Sequence, residues 1–582
     1  MDETVLLDDW SVKLDLDNWW KELLGQSVDS PETFDFEQAK NHVPWSEFNA
    51  SQAIYSKIGY HLSFIEATKT WYAWDGRIHA PCDGEALAYK IGKAYFEALR
   101  RALSEVEALV NSRKHSLELL NADEKDIKQI ADIYSKGFRR QRDYRDRISS
   151  DAGLASLVRM MRSDFSVPRD YYESDQQFLV VKNCVFDLDE MRKGALVHPM
   201  HHDPSRPVTK YLDVIYDSSV DYSVSRWWSY LQSSVKDGDI PTLVHIQKVV
   251  GAAFMGQRKL RTLINLKGPP SSGKSIFIET LWKMGKEGAG YCAMPDSRAI
   301  TKVQGQNFEQ DNFRGRRVIG ISEPSSKEDI DDDFLKRYTG DEWMETRTLH
   351  AKSSGWAPQG VIFVSSNATL KINSRDQAIV DRVQVIDFPY EFVEGADPNN
   401  PTQKERDNSL SDTLNLPEER SAILNWILYG MKWYVKGHDD SDANSMVNSY
   451  ITKPMSLKPP ASVEQNKTAL VSNASSALRW LYEMIEEGDI VFVKDRQSNS
   501  HLQVAEAFSR YTIWCALNGE RRGLSRRFFE EDIDHRYSVI RAGGNKCFEG
   551  LGYSNAYYAK IDNQTYTYNP SIQQASPVDS NF

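Results

Sequence analysis

The sequence predicts an α/β chain: a P-loop core, a mixed α+β region before it and a winged-helix-like segment after it. Three observations predict this. Thr262 to Leu266 is a short apolar run that reads as a buried strand, Gly268-Pro269-Pro270-Ser271-Ser272-Gly273-Lys274-Ser275 matches G-x-x-x-x-G-K-[ST], and Ile276 to Trp282 has helical spacing. Two further apolar strands downstream each end in a polar residue, Glu323 and Asn367. Beyond Val504 the order is helix, turn, helix, hairpin.

Strand, glycine-bounded loop and helix are the context in which the eight-residue pattern means a phosphate cradle. Glycines let the backbone curl so that successive N–H groups face phosphate oxygens, and the helix N-terminus adds its positive dipole end. Gly268 to Ser275 would therefore hold ATP, with Lys274 on the β- and γ-phosphates and the Ser275 hydroxyl on Mg²⁺.

Composition sets the frame. The 582 residues exceed one core, and 40% apolar with 26% charged residues is ordinary for globular protein. No stretch holds about 18 uninterrupted apolar residues, so no membrane partner is expected. The acidic start, Met1-Asp-Glu-Thr, is unlike the basic start of an export signal, and the five scattered cysteines suggest neither a disulfide framework nor a CxxC zinc site. A cytoplasmic setting, in a host cell, is the expectation. Net charge −12 argues against a chain coated in nucleic acid but leaves a local basic channel open.

Taken in order, residues 1–50 are acidic and tryptophan-bearing, with no chemistry assigned. Phe48 to Ile54 is helical, Lys69 to Ile78 has the aromatic alternation and Asp75-Gly76 turn of a hairpin, and Glu85 to Lys128 is charged and helical in period. Lys136 to Arg147 is the densest basic run; a solvated helix face is the leading reading and a phosphate-contacting face the alternative. Asp187 and Asp189 have the spacing of a two-metal site, and His198, His201 and His202 that of metal ligands, yet nothing nearby completes either set, so both read as structural. Trp227 to Met255 is helical and leads into the loop strand.

After the loop helix, Val318 to Ser322 is a second buried strand ending at Glu323, placed to deprotonate an attacking water. A third, Gly360 to Ser366, ends at Asn367, whose amide can sense a terminal phosphate. Leu335 to Asp341 lies between them, and Asp376, Asp381-Arg382 and Phe388-Pro389 follow.

This order of motifs resembles superfamily 3 DNA helicases, most of all the primase-helicase group of phage, plasmid and poxvirus replication proteins. Trp71 to Gly76, Asn183 to Leu188, Trp227 to Leu231, Ala422 to Gly430 and Ala507 to Phe528 are similar to that group's recurring segments, so the likeness runs over about residues 50 to 540. It implies an AAA+-like core, assembled as a homo-oligomeric ring, usually a hexamer, with ATP between subunits. Lys274 and Ser275 would then hold Mg·ATP, Glu323 would activate water and sit near the metal, Asn367 would be the sensor, and Arg382 the arginine finger, with Arg375 competing and Lys336 or Arg337 as a further trans contact. Arg347 to Trp356 falls where that group places a pore hairpin, and His350 and Lys352 would grip single-stranded DNA. Many members carry two adjacent acids at the second strand, whereas Ser322 precedes Glu323 here.

The expected domains are an N-terminal extension (1–50), an α+β domain (51–235), the ATPase core (236–395), a helical lid and linker (396–460), a winged-helix-like domain (461–570) and a disordered tail (571–582). In the winged-helix-like part, Arg526 and Arg527 open the second helix, where DNA contact is expected, and Tyr553 to Tyr568 suggests the hairpin. The function expected is a replicative ring helicase moving 3′ to 5′ on single-stranded DNA at forks, without its own primase domain and working with a separate primase or polymerase. The alternative is an origin-binding initiator whose ATPase melts duplex DNA. Small-molecule kinase and protein-remodeller readings fit less well, since neither accounts for a basic hairpin with a finger at Arg382.

Overall fold

The computed structural model describes residues 9–10, 13–168, 171–172, 177–194, 198–237, 239–256, 260–285, 290–302, 308–322, 330–340, 342–346, 354–367, 370, 372, 376–437, 454–466, 475–493, 501–518, 523–534, 537–554 and 557. They form two compact units, one of residues 1–220 with 283–291, the other of 221–282 with 292–582.

The first unit sets helices against a small sheet. Its helices include α1 (Phe36–His42), α2 (Glu47–Ile58), α3 (Gly84–Leu119), α4 (Arg139–Ile148) and α5 (Asp151–Asp164). Its sheet runs β3-β2-β1-β4, from β1 (Leu62–Ile65), β2 (Thr70–Trp74), β3 (His79–Cys82) and β4 (Ser166–Val167). The expected Asp-Gly turn joins β2 to β3: Asp75 accepts from the N–H groups of Arg77 and Ile78, and Gly76 takes a φ of +97°. Trp10, Trp19, Leu23, Phe34 and Val43 lie in the same core as α3, so the N-terminal tryptophans are packing residues. The Trp10 indole donates to Trp74 O (3.2 Å), and Trp19 meets Tyr95 edge-on.

Two sequence features are structural here. Gln141, Tyr144 and Ile148 turn the inner face of α4 to the core, while Arg139 pairs with Asp143, Arg145 with Asp146 and Arg147 with Glu47. The basic run is thus a salt-bridged helix face. Strands β5 (Phe178–Val180) and β6 (Val185–Asp187) pair antiparallel, and Asp187 caps α6 (Leu188–Arg192) by accepting from Asp189 N (2.9 Å) and Glu190 N (3.3 Å). Asp189 is engaged by Arg192 at 2.5 Å. Among the described residues, no three or more His, Cys, Asp or Glu side chains group as a metal site, and no helix is long and apolar enough to cross a membrane.

The second unit opens with α7 (Arg226–Ser234) and α8 (Ile240–Phe254) and contains a five-stranded parallel sheet. The strands, in the order β13-β7-β12-β9-β8, are β7 (Leu263–Lys267), β8 (Cys292–Ala293), β9 (Val318–Ser322), β12 (Val361–Ser366) and β13 (Val383–Asp387). Continuous burial along β7, β9 and β12 is what a parallel sheet covered on both faces requires. Helix α9 (Lys274–Lys283) follows β7, and α10 (Asp332–Gly340) and α11 (Gln377–Val380) lie later in the unit. Strands β10 (Met344–Thr346) and β11 (Ser354–Trp356) pair antiparallel, with Met344 opposite Trp356, as the stem of a hairpin.

Short strands β14 (Glu391–Val393) and β15 (Gln403–Glu405) pair in parallel, and α12 (Pro417–Lys436) packs along α8. The stretch read as a small lid is therefore one 20-residue helix on the core. A Cβ on Gly251 would lie 2.2 Å from Gly430 C, and one on Gly430 2.1 Å from Gln247 O, so the two backbones touch where neither side chain exists. Trp227 stacks on Phe277 and meets Trp426 edge-on, tying α7, α9 and α12 together.

Beyond this lie α13 (Ser476–Glu486), β16 (Ile490–Phe492), β17 (Leu502–Gln503), α14 (Val504–Leu517), α15 (Arg526–Asp534), β18 (Val539–Ala542), β19 (Asn545–Phe548) and β20 (Leu551–Tyr553). The hairpin after the second helix is β18–β19, turning on Gly543-Gly544 with φ of +56° and +86°, rather than the stretch from Tyr553 to Tyr568. Strand β20, with Tyr553, instead pairs with β16, and of residues 554–568 only 554 and 557 are described.

His245 on α8 is wholly buried and donates from Nε2 to Gln384 Oε1 (2.6 Å), whose amide donates to Leu457 O (3.0 Å). Burial pushes its pKa down to about 4 from 6.5. Between those values the unfolded chain binds the extra proton, so stability rises with pH through that window and is lost as pH falls from 6.5 to 4. The expected slope is up to about 1.4 kcal/mol per pH unit, and His245→Gln should flatten it in denaturant titrations at several pH values. Gly251→Ala should lower stability by about 1–3 kcal/mol, because overpacking outweighs the roughly 1 kcal/mol gained in helix propensity. A raised thermal midpoint would contradict the touching backbones.

Candidate functional site

Lys267 ends β7 opposite Ser366 of β12 and Asp387 of β13, so the loop leaves the sheet where three strand ends align. Ligands of open α/β sheets bind at these carboxyl ends. Gly268 passes so close to Phe388 that a Cβ would lie 2.1 Å from its carbonyl oxygen. Gly273 has φ +93°, and a Cβ there would come within 3.1 Å of the Tyr230 ring. Both motif glycines are thus required by geometry. Ser271, at φ +57°, completes the curl.

Lys274 begins α9, and its Nζ donates to Gly268 O (2.8 Å), Pro269 O (2.7 Å) and Ser272 Oγ (2.8 Å). The loop thereby folds around its own ammonium group, and an anion can exchange for those neutral acceptors because charge-assisted bonds are about twice as strong. Tyr230 of α7 donates its hydroxyl to Gly273 O (2.8 Å), and burial raises its pKa well above the ordinary phenol value. Asn265, buried in β7, accepts from the Ser366 hydroxyl (2.7 Å), locking β7 to β12 one residue before Asn367.

The loop lines a cavity of about 650 Å³ with Arg226, Tyr230, Asn367, Lys404, Arg406 and Asp407 among its walls. Pro270 to Ser275 all line it, so the structure brings together the loop, Lys274, Ser275 and Asn367. A basic, loop-cradled cavity at a helix N-terminus can hold a phosphate anion, and Ser275 offers a hydroxyl to an accompanying cation. Glu323, His350, Lys352, Arg347 and Arg375 lie outside the described residues; β9 ends at Ser322, and β10 and β11 flank the hairpin tip.

Arg382 lies elsewhere. It precedes β13, with its carbonyl accepting from Leu263 N at the start of β7, so it sits at the amino ends of the strands. A five-residue strand at about 3.3 Å per residue puts it some ~16 Å from the loop. Its guanidinium donates to Thr339 Oγ1 (2.7 Å) and to Ala378 O, and it is half-buried. Lys336 pairs with Asp376. Arg526 and Arg527 are exposed at the start of α15, with Arg527 bonded to Glu531 (2.9 Å).

Sequence reasoning missed Tyr230, Lys404, Arg406 and the Arg226–Asp407 pair. Tyr230 was legible only as part of a helix. The others come from a stretch with neither helical nor strand period, and no local signal marks them.

Residues 51–235 match the family described as D5 N terminal like. The chain is 24% identical over 205 residues to "Putative helicase V13" of Sputnik virophage, covering 32% of this chain and 25% of that protein. It is 23% identical over 240 residues to "Putative helicase L207/L206" of Acanthamoeba polyphaga mimivirus, covering 39% of this chain and 24% of that protein. These matches thus span about a quarter of each viral relative's length. Among solved structures, the apo C-terminal region of NrS-1 aligns at 14% identity and a TM-score of 0.32, over 58% of this chain and 78% of that one. A second apo form of that region gives 12% and 0.30 over the same shares.

Proposed function

We propose that this chain is an ATP-dependent DNA helicase of the superfamily 3 type, an AAA+-like ring motor that moves on single-stranded DNA at forks, 3′ to 5′. The observation that carries the reading is the Lys274 ammonium, held by the carbonyls of a glycine-bounded loop inside a cavity shared with Asn367. The likeness of residues 51–235 to the D5 N terminal family and the partial likeness to two viral proteins named as helicases support it.

The residues fit a nucleoside triphosphate with magnesium, because loop curvature, lysine and hydroxyl line one cavity of adequate size. Bound Mg²⁺ would offset charge on the β- and γ-phosphates. Lys274 exchanges loop carbonyls for phosphate oxygens, and Ser275 offers its hydroxyl to the metal. Asn367 orients the attacking water, which Glu323 deprotonates. Arg382, some ~16 Å from its own loop along β13, serves the cavity of a neighbouring copy, where its charge offsets that developing in the transition state. His350 and Lys352, between β10 and β11, grip the single strand.

Lys274→Ala should abolish nucleotide binding or turnover, read by equilibrium binding and phosphate release. Arg382→Ala should reduce turnover by about 10³-fold or more while sparing binding, the size of effect known for arginine fingers. ATP-dependent unwinding of tailed duplexes, with particle mass measured with and without nucleotide, tests the motor as a whole. Turnover stimulated by a single duplex sequence, and not by unspecific single strands, would favour the origin-binding initiator.

A further inference from the structure

We propose that Arg406 is a second phosphate-binding cation supplied by the same chain as the loop, exchanging Ser271 for the terminal phosphates of a bound nucleoside triphosphate. The inference rests on the nucleotide-binding reading above and extends it to a residue outside every motif in the sequence. Arg406 follows β15 and lines the loop cavity. Its Nη2 donates to Ser271 Oγ (3.0 Å), and its Nε to Phe392 O (3.1 Å). Both acceptors are neutral.

The charges around it single it out. Arg226 is paired with Asp407 at 2.5 Å. Lys404 is held by Asp237 (2.9 Å) and Ser233 O (2.9 Å), with its ammonium 3.4 Å over the Tyr390 ring. The two acids that flank Arg406 in sequence are committed elsewhere. Glu405 accepts from the N–H groups of Gly395 (3.1 Å) and Ala396 (2.9 Å), which hold its carboxyl below the usual range. Asp407 accepts from Ser409 and Arg226, which pull its pKa down to about 2. Among the described residues no carboxylate pairs with Arg406, so the cavity keeps a cation whose partners are a hydroxyl and a carbonyl.

Such a cation is poised for exchange. A phosphate oxyanion makes a stronger bond to guanidinium than a serine hydroxyl does, and the planar fork can take two oxygens at once. The backbone is already anchored: Phe392 N donates to Ser271 O (3.0 Å) and Arg406 N to Val393 O (2.9 Å). The side chain can therefore change partner while β14, β15 and the loop stay joined. Because Ser271 is three residues from Lys274 on the same curl, the guanidinium reaches the phosphates that Lys274 serves.

Equilibrium binding of a non-hydrolysable ATP analogue and of ADP to the full chain tests this. Arg406→Ala should weaken the triphosphate by about 10- to 100-fold, the size expected for a lost charged hydrogen bond. Diphosphate binding should fall less than about threefold, and Arg406→Lys should recover part of the loss. Triphosphate affinity within about twofold of the parent chain, or an equal loss for both nucleotides, would overturn the assignment. If Arg406→Ala melts early, hydrogen exchange of the parent chain over residues 391–411 decides: greater protection with triphosphate than diphosphate supports the contact, and equal protection overturns it. A parent chain that binds neither nucleotide refutes the nucleotide-binding reading itself. A parent chain that binds both, with Lys274→Ala blind and Arg406→Ala unaffected, removes only Arg406.

Discussion

The second unit depends on one register. Parallel pairing places Lys267, Ser366 and Asp387 side by side, so three strands stop on one line and the loop springs from its middle. Gly268 can turn there because it has no side chain to strike Phe388 O, and Asn367 reaches the cavity because it follows Ser366 directly. A slip of one residue would reverse the alternation of β12 and take Asn367 off the loop. Burial of β7, β9 and β12 on both faces fixes that register, since each strand has only apolar neighbours to exchange.

How much of this was legible in the sequence follows from how local each determinant is. The loop was readable because the geometry that makes it, two glycines and a lysine between strand and helix, lies within eight residues. Asn367 was readable because an apolar run announces where a buried strand stops. The Asp75-Gly76 turn was legible for the same reason. Arg406 was not: its meaning comes from meeting Ser271, 135 residues earlier in the chain, and from two acidic neighbours turned aside by Gly395, Ala396 and Ser409.

Other differences have equally particular causes. Aromatic alternation after Tyr553 drew attention from Ala542-Gly543-Gly544-Asn545, where two glycines with positive φ supply the turn of β18–β19. The acidic tone of residues 1–50 masked an inward face built from Trp10, Trp19, Phe34 and Val43. Gly251 and Gly430 read as gaps in helical patterns, although each is the place where α8 and α12 meet backbone to backbone. Solitary glycines in otherwise good helices carry that ambiguity, because sequence shows the missing side chain but not the surface that displaced it.

The parallel sheet also has two chemically unlike ends. The carboxyl ends carry the loop and its cations, and the amino ends carry Arg382, bonded to Thr339 and Ala378. If Arg382 completes an adjoining copy's cavity, the contact joins different surfaces and cannot be a self-complementary two-fold. Head-to-tail association of that kind has two geometric fates: it closes into a ring when the rotation per copy divides a full turn, and it otherwise runs on as an open helix.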